Sequence, residues 1–259
     1  MKLCRYSTRS AVEPRYGFVV GAEIFPLAAD EIFRLTFAPP ETGPACALNE
    51  ATLIVPVTPS KIVCVGRNYL AHAAELGNPM PDEPLLFLKA PSALIGPDAT
   101  IELPAASERV EHEGELAVVI GRQARRLSAA DDPLDYVLGY TCLNDVTARD
   151  LQRKDVQFTR AKSFDTFCPV GPYIETELDP LDVAVTTRVN RELRQQGRTS
   201  AMAFPIPFLI RYISNIMTME PGDLIATGTP AGVGPLAAGD TVEVEVEGVG
   251  VLRNFVRAR

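Results

Sequence analysis

The chain has 259 residues, 46% hydrophobic and 22% charged, with a formal net charge of −8 at pH 7. Such a composition suits a soluble globular protein with one large domain, or one domain with a small appendage. The negative balance argues against nucleic acid or an anionic membrane as partner, yet leaves room for a small anionic substrate, because local cations and a metal can reverse the field inside one pocket.

Residues 1–57 read as a small β-rich N-terminal domain, with the boundary near Val57-Thr58-Pro59. Within it, Tyr16 to Leu27 spells two short strands about a Gly21-Ala22 turn. Phe37 to Pro44 is a proline-rich connector that no regular element accommodates. The remainder, residues 58–259, begins with a buried strand, Lys61 to Gly66. After Arg67-Asn68-Tyr69 comes a short helix, Leu70 to Leu76, closed by Gly77. Leu85 to Lys89 is the next strand. Val110 to Gly121 then reads as a single strand, β-branched after Glu115 and ended by glycine.

A loop and short helix are expected from Arg122 to Asp135, a strand from Tyr136 to Leu143, and a helix from Thr147 to Gln157. Val170 to Ile174 and Asp182 to Val189 are strands, with a turn at Asn190-Arg191-Glu192. Pro207 to Met219 carries apolar residues at Leu209, Ile210, Ile213, Ile216 and Met217, a helical spacing with proline near its start. Pro221-Gly222-Asp223 turns into strand Leu224 to Thr227, followed by a glycine-rich loop, Gly228 to Gly234. Val–Glu alternation over Thr241 to Glu247 and its return over Val249 to Val256 make a closing hairpin. The sum is a mainly β fold with short helices, mixed and largely antiparallel rather than doubly wound.

Several stretches carry possible chemistry. Side chains alternate along a strand, so Glu113, Glu115, Ala117 and Val119 share one face. Adjacent carboxylates at the head of an apolar strand are costly unless a cation lies between them, and they suit a hard divalent ion such as Mg²⁺. The competing reading is a solvated edge strand. Asp145 follows a strand and either caps a helix or completes a three-carboxylate site with the two glutamates. Only two histidines are present, so any metal must be held mostly by oxygen. His72 and Glu75, three apart on the short helix, face the same way. Such a pair is a plain surface contact on spacing alone. The flanking Gly77-Asn78-Pro79-Met80-Pro81, however, suits a lid carrying a general base. Lys162 sits in an apolar-flanked loop and reads either as an exposed lysine or as a site group. The 228–234 loop is either a plain turn between strands or a source of backbone N–H groups and the Thr229 hydroxyl for an anion. It is not a nucleotide P-loop, because no Lys-Ser/Thr follows the glycines. His112 points away from Glu113 and is structural. The five cysteines are odd in number and scattered, with no Cys-x-x-Cys, as expected for reduced thiols in the cytoplasm. No apolar run reaches spanning length, and no signal-peptide pattern opens the chain.

Taken in order, these segments resemble the fumarylacetoacetate hydrolase family. They are Val65-Gly66-Arg67-Asn68-Tyr69 with His72 and Glu75, Phe87-Leu88-Lys89, His112 to Gly121, Asn144 to Gln152, Ala161 to Asp165, Pro221-Gly222-Asp223 and Gly228 to Gly234. The resemblance covers residues 60–257, and residues 1–57 resemble the small N-terminal domain of many bacterial members. It implies the family's mixed β-roll and a homodimer. It implies that Glu113, Glu115 and Asp145 ligate Mg²⁺ or Mn²⁺, that Lys162 meets substrate and transition state, and that His72 with Glu75 activates water. Arg67, Tyr69, Lys89, Gln152 and Thr229 would lie near the substrate. The implied reaction is hydrolysis of a C–C bond in an acylpyruvate-like 2-oxo acid through an enolate. Isomerisation or decarboxylation of a 2-hydroxydienedioate or an oxaloacetate-like diacid is the alternative. Asn190-Arg191 departs from the relatives' Asn-Gly, which bears on turn geometry and not on chemistry.

Overall fold

The strand Gly114–Ile120 is buried along its whole length in the structure, a computed structural model that describes residues 1–9, 11–27, 32–33 and 44–259. Its two faces serve two cores. Leu116, Val118 and Ile120 pack with Val185, Val244, Leu209, Ile210 and Ile213. Ala117 and Val119 pack with Cys64, Leu143, Val170 and Leu224 on the other side. The expected alternation is present, but both faces are dry, so the edge-strand reading fails. Each large aliphatic chain buried this way contributes roughly 1.5–3 kcal/mol.

Strands dominate, with four short α-helices among the described residues. The main sheet runs in the order Cys46–Ala47, Glu23–Leu27, Ala11–Val20, Lys2–Thr8, Cys168–Glu175, Val137–Asn144, Gly114–Ile120, Leu224–Ala226, Ile62–Gly66 and Leu85–Lys89. Lys2–Thr8 pairs with Cys168–Glu175, so the N-terminal strands are hydrogen-bonded into the sheet that carries the central strand. A five-stranded sheet holds Glu192–Arg198, Ala184–Val189, Thr241–Val246, Gly250–Ala258 and Thr100–Leu103. The helix Ile206–Ser214 lays Leu209, Ile210 and Ile213 on the core between the layers. Among the described residues no helix is long and apolar enough to cross a membrane.

Four expectations need correction. The stretch 110–121 is two strands, Val110–His112 and Gly114–Ile120, broken at Glu113. The first belongs to a small sheet with Thr147–Ala148 and Gly234–Pro235. The break is held open by hydrogen bonds: Glu113 N–H donates to Asn144 Oδ1 at 2.9 Å, and Asp145 N–H donates to the Glu113 carbonyl at 2.8 Å. Thr147 to Gln157 is not one helix. Pairing with Val110 and Glu111 claims Thr147 and Ala148, which leaves a helix over Arg149–Lys154 only. Between Arg122 and Asp135 the only helical element is a 3₁₀ turn starting at Pro133, because Ala124 is drawn into a bridge with Met219. The helix expected to reach Met219 stops at Ser214. The proline-rich connector falls, except for Pro44, outside the described residues.

The Asn190-Arg191 turn keeps the geometry that Asn-Gly would give. Both residues have positive φ, 53° and 68°, as a two-residue type I′ hairpin requires. What the departure adds is strain, since an arginine Cβ in the left-handed region costs roughly 1–2 kcal/mol. Glycine would relieve that strain and lose part of the gain to chain entropy. Arg191→Gly is therefore expected to stabilise the protein by about 0.5–1 kcal/mol, seen as a rise of a few degrees or less in thermal unfolding, with no change at the distant cavity.

Candidate active site

The break at Glu113 turns its side chain toward the start of the central strand. There Glu113, Glu115 and Asp145 each bring one carboxylate oxygen within 4.8 Å of the others, and all three are buried. Glu115 is fixed by the central strand, and Asp145 by the end of the neighbouring strand Val137–Asn144. The glycine between the two glutamates is obligatory, because a Cβ at Gly114 would lie 2.0 Å from Thr187 Oγ1.

Three buried cations attend these carboxylates. Lys162 Nζ donates to Glu113 Oε2 at 2.8 Å and to Asp145 Oδ2 at 2.6 Å. It is 2% exposed, so it is a site group and not a surface lysine. Lys89 Nζ donates to Asp145 Oδ1 at 2.6 Å and to the Val146 carbonyl. Arg149 spreads its guanidinium over three acceptors: Glu111 Oε2 at 2.6 Å, Glu113 Oε1 at 2.5 Å and Gln152 Oε1 at 2.6 Å. Burial penalises the Glu113 charge, but Lys162 and Arg149 outweigh it and hold the carboxyl far below its usual range. Burial likewise works against Lys162, and Asp145 and Glu113 more than restore its proton affinity.

Glu115 differs. Its Oε2 accepts the Gly228 N–H at 2.8 Å, and among the described residues no ion pair reaches it. Burial, then Asp145 and Glu113, push its carboxyl well above the usual carboxylate range. A dry carboxyl with no cationic partner, beside two more carboxylates, is a donor set that fits a hard divalent cation. Carboxylate oxygens carry two lone pairs each, so accepting from an ammonium does not bar them from an ion.

Above the triad lies a cavity of about 280 Å³ lined by these three acids with His72, Lys162, Arg67, Arg149, Gln152, Arg153 and Thr229. Phe87 and Phe158 meet edge to face in its wall, and Lys162 Nζ stands 4.9 Å from the Phe87 ring centre. Arg67 turns the chain out of strand Ile62–Gly66 with a positive φ of 59°. The helix that follows, Leu70–Glu75, buries His72 and Ala73 and leaves Leu70 exposed. His72 thus faces the cavity from this helix. Its Nδ1 is 3.5 Å from Glu75 Oε2 and has no hydrogen-bond partner. The Glu75 carboxylate instead accepts the Gly232 N–H, at 3.1 Å to each oxygen.

Of the residues expected near a substrate, Arg67, Gln152 and Thr229 line the cavity. Lys89 and Tyr69 do not: Lys89 supports Asp145 from behind, and Tyr69 is buried with its hydroxyl unpartnered. Of the two readings of the glycine-rich loop, the structure favours the turn between strands. Two of its N–H groups are spent on the protein's own carboxylates, Glu115 and Glu75, and the Thr229 hydroxyl donates to the Gly114 carbonyl at 2.8 Å. That hydroxyl has no proton left for an anion. His112 is off the cavity, as expected, bonded to Gln195. Arg149 and Gln195 were not singled out from sequence. The sequence shows for the first only an arginine four residues past Asp145, and its burial appears only in the fold. Gln195, in the middle of a hairpin strand, gave none.

Residues 61–257 match the fumarylacetoacetate (FAA) hydrolase C-terminal family, and residues 1–56 match the Rv2993c-like N-terminal family. Oxaloacetate tautomerase YisK of Bacillus subtilis is 44% identical over 225 residues, covering 81% of this chain and 74% of that protein. The structure of a 5-carboxymethyl-2-hydroxymuconate delta-isomerase from Mycobacterium smegmatis superposes with a TM-score of 0.90 at 43% identity, covering 100% of both chains. A fumarylacetoacetate hydrolase from Exiguobacterium antarcticum gives a TM-score of 0.88 at 39% identity, again covering 100% of both. With its cradle of three acids, its lysine and its lid histidine all in the matched region, the chain belongs to the fumarylacetoacetate hydrolase family.

Proposed function

We propose that the protein is a divalent-metal-dependent enzyme of small 2-oxo acids that works through their enolates, and that its reaction is proton transfer at C3 of an oxaloacetate-like or 2-hydroxydienedioate diacid. The observation that carries this reading is a single buried imidazole facing the carboxylate triad and Lys162 across one small cavity.

Glu113, Glu115 and Asp145 would hold Mg²⁺ or Mn²⁺. When bound, the cation supplies Lewis-acid charge where a 2-oxo acid accumulates negative charge on enolisation. The chain's own residues do the rest. Lys162 places an ammonium beside the cradle as a second positive partner for that charge. Arg67 and Arg153 line the cavity without a described ion pair, so they are available to a substrate carboxylate. Phe87 and Phe158 exclude water from one wall, which strengthens every charge interaction inside. His72 takes the proton from C3 of the keto form, and the same proton returns to the 2-oxygen to give the enol. The reverse passage regenerates the ketone, so no water is consumed.

In the structure the Glu75 carboxylate is engaged by the Gly232 N–H, which favours a lone imidazole that moves one proton over a His72–Glu75 dyad that activates water. Tautomerase and isomerase relatives at 43–44% identity support the same choice. Hydrolysis of an acylpyruvate-like C–C bond is the second reading. The likeness to a hydrolase at 39% identity favours it, as does a Glu75 only 3.5 Å from the ring. In that case His72 would take its proton from water, and the products would be a carboxylate and pyruvate.

Two tests follow. A panel of enolisable 2-oxo acids with Mg²⁺ or Mn²⁺ should show accelerated decay of enol absorbance without release of pyruvate or CO₂. Stoichiometric pyruvate with a second carboxylate would establish hydrolysis instead, and inactivity on the whole panel would refute the enzymatic reading. In calorimetric titrations with Mn²⁺, Glu115→Gln should weaken binding by about 100-fold or more. His72→Asn should leave the Mn²⁺ affinity unchanged and lower kcat by roughly 10²–10⁴-fold. Loss of metal in the histidine variant would overturn its assignment as the proton carrier.

A further inference from the structure

Gln195 lies in the hairpin strand Glu192–Arg198, outside the cavity wall, and is fully buried. Its amide makes four hydrogen bonds. Oε1 accepts the Gly114 N–H at 3.0 Å and meets His112 Nδ1 at 3.1 Å. Nε2 donates to Thr229 Oγ1 at 2.7 Å and to the Pro230 carbonyl at 2.8 Å. A backbone N–H can only donate, so the Gly114 bond fixes which end of the amide faces the strand. His112 must then carry its proton on Nδ1. Thr229, having accepted from Gln195, donates to the Gly114 carbonyl and closes the ring.

The two ends of this amide therefore grip two different parts of the site. The acceptor end holds residues 112 and 114, which flank Glu113 and precede Glu115. The donor end holds residues 229 and 230 of the loop. That loop gives its Gly228 N–H to Glu115 and its Gly232 N–H to the lid residue Glu75. Its path is confined further along as well, since a Cβ at Gly232 would lie 2.0 Å from the Arg194 carbonyl oxygen.

We infer that Gln195 is a positioning residue that sets the spacing of Glu113 and Glu115 with one end of its amide and holds the loop in the shape that receives the lid with the other. Docking of the helix Leu70–Glu75 and the carboxylate cradle are thereby tied through one side chain. The inference rests on the reading of the triad as a metal cradle for its first half only. The second half concerns lid docking and stands without a metal.

Two variants separate the ends. Gln195→Met removes both sets of bonds at similar volume. Gln195→Glu keeps an acceptor for Gly114 and His112 and removes at least one of the two donors to Thr229 and Pro230, since even a protonated carboxyl has a single O–H. Mn²⁺ titration of the full chain should show affinity falling about 10–100-fold in Gln195→Met, the size usual for partners that orient metal ligands, and holding in Gln195→Glu. Amide hydrogen exchange on the metal-free protein should quicken across residues 70–78 in both variants and stay unchanged in the distant strand Lys2–Thr8. Wild-type exchange rates over the lid in both variants would overturn the docking half. Equal Mn²⁺ affinity in wild type and a folded Gln195→Met would overturn the cradle half. Should Gln195→Met not fold, Gln195→Glu decides alone: faster lid exchange with unchanged Mn²⁺ affinity supports the inference, and any other pairing overturns it. A wild-type chain that binds no Mn²⁺ would sink the metal reading, while the exchange experiment would still judge the docking half.

Discussion

Like charges brought together away from water are the constraint on which this molecule depends. Four carboxylates, Glu111, Glu113, Glu115 and Asp145, are buried within reach of three buried cations, Lys89, Lys162 and Arg149. None of these groups is tolerable there alone, since stripping an ion of water costs several kcal/mol before any partner is counted. Each is held by a different part of the chain. The cluster therefore exists only once strands from residues 85–89, 110–120 and 137–148 have come together with the short helices Arg149–Lys154 and Thr159–Lys162. Arg109 adds an outer partner for Glu111, yet among the described residues no ion pair reaches Glu115, and that is what makes the place suitable for a further positive charge.

The glycine-rich loop is the second element around which the site is arranged, in a way different from the anion-cradling role such loops often have. It lies between the central strand and the lid and directs its N–H groups at carboxylates of the protein itself. Glutamates of two different segments, Glu75 on the lid and Glu115 in the cradle, thus hang from one stretch of backbone. A shift of the loop cannot move one without disturbing the other.

Much of this was legible along the chain. The period-two pattern over residues 114–120 gave the central strand and assigned its faces correctly, because burial on both sides still sorts side chains by parity. The spacing of Leu209, Ile210 and Ile213 gave the helix over the core. For Glu113, Glu115 and Asp145 the residues alone left a solvated strand and a helix cap open beside a three-carboxylate site, and the family resemblance was what pointed to the convergence that the structure contains. What stayed hidden depends on contacts between distant segments. Thr147 and Ala148 have a helix-compatible context and are taken by a strand partner forty residues away. The pairing of Lys2–Thr8 with Cys168–Glu175 has no local trace. Lys89 reads as the end of an apolar strand, and only the fold shows that it props Asp145 rather than facing a substrate. Gln195 sits among exposed hairpin residues, and nothing in its neighbours marks it as the one that turns inward.

One feature of Lys162 bears on what the cavity does not do to its occupants. An amine attacks a ketone through a nitrogen lone pair, and 2-oxo acids are among the ketones most prone to it. Nζ of Lys162 donates at once to Glu113 and to Asp145, so the pair is tied up in an N–H bond and the nitrogen is an ammonium. The carboxylates that make the lysine useful as a charge also disarm it as a nucleophile. A ketone that entered the cavity would be spared condensation to an imine there, and the protein would not be covalently trapped by it.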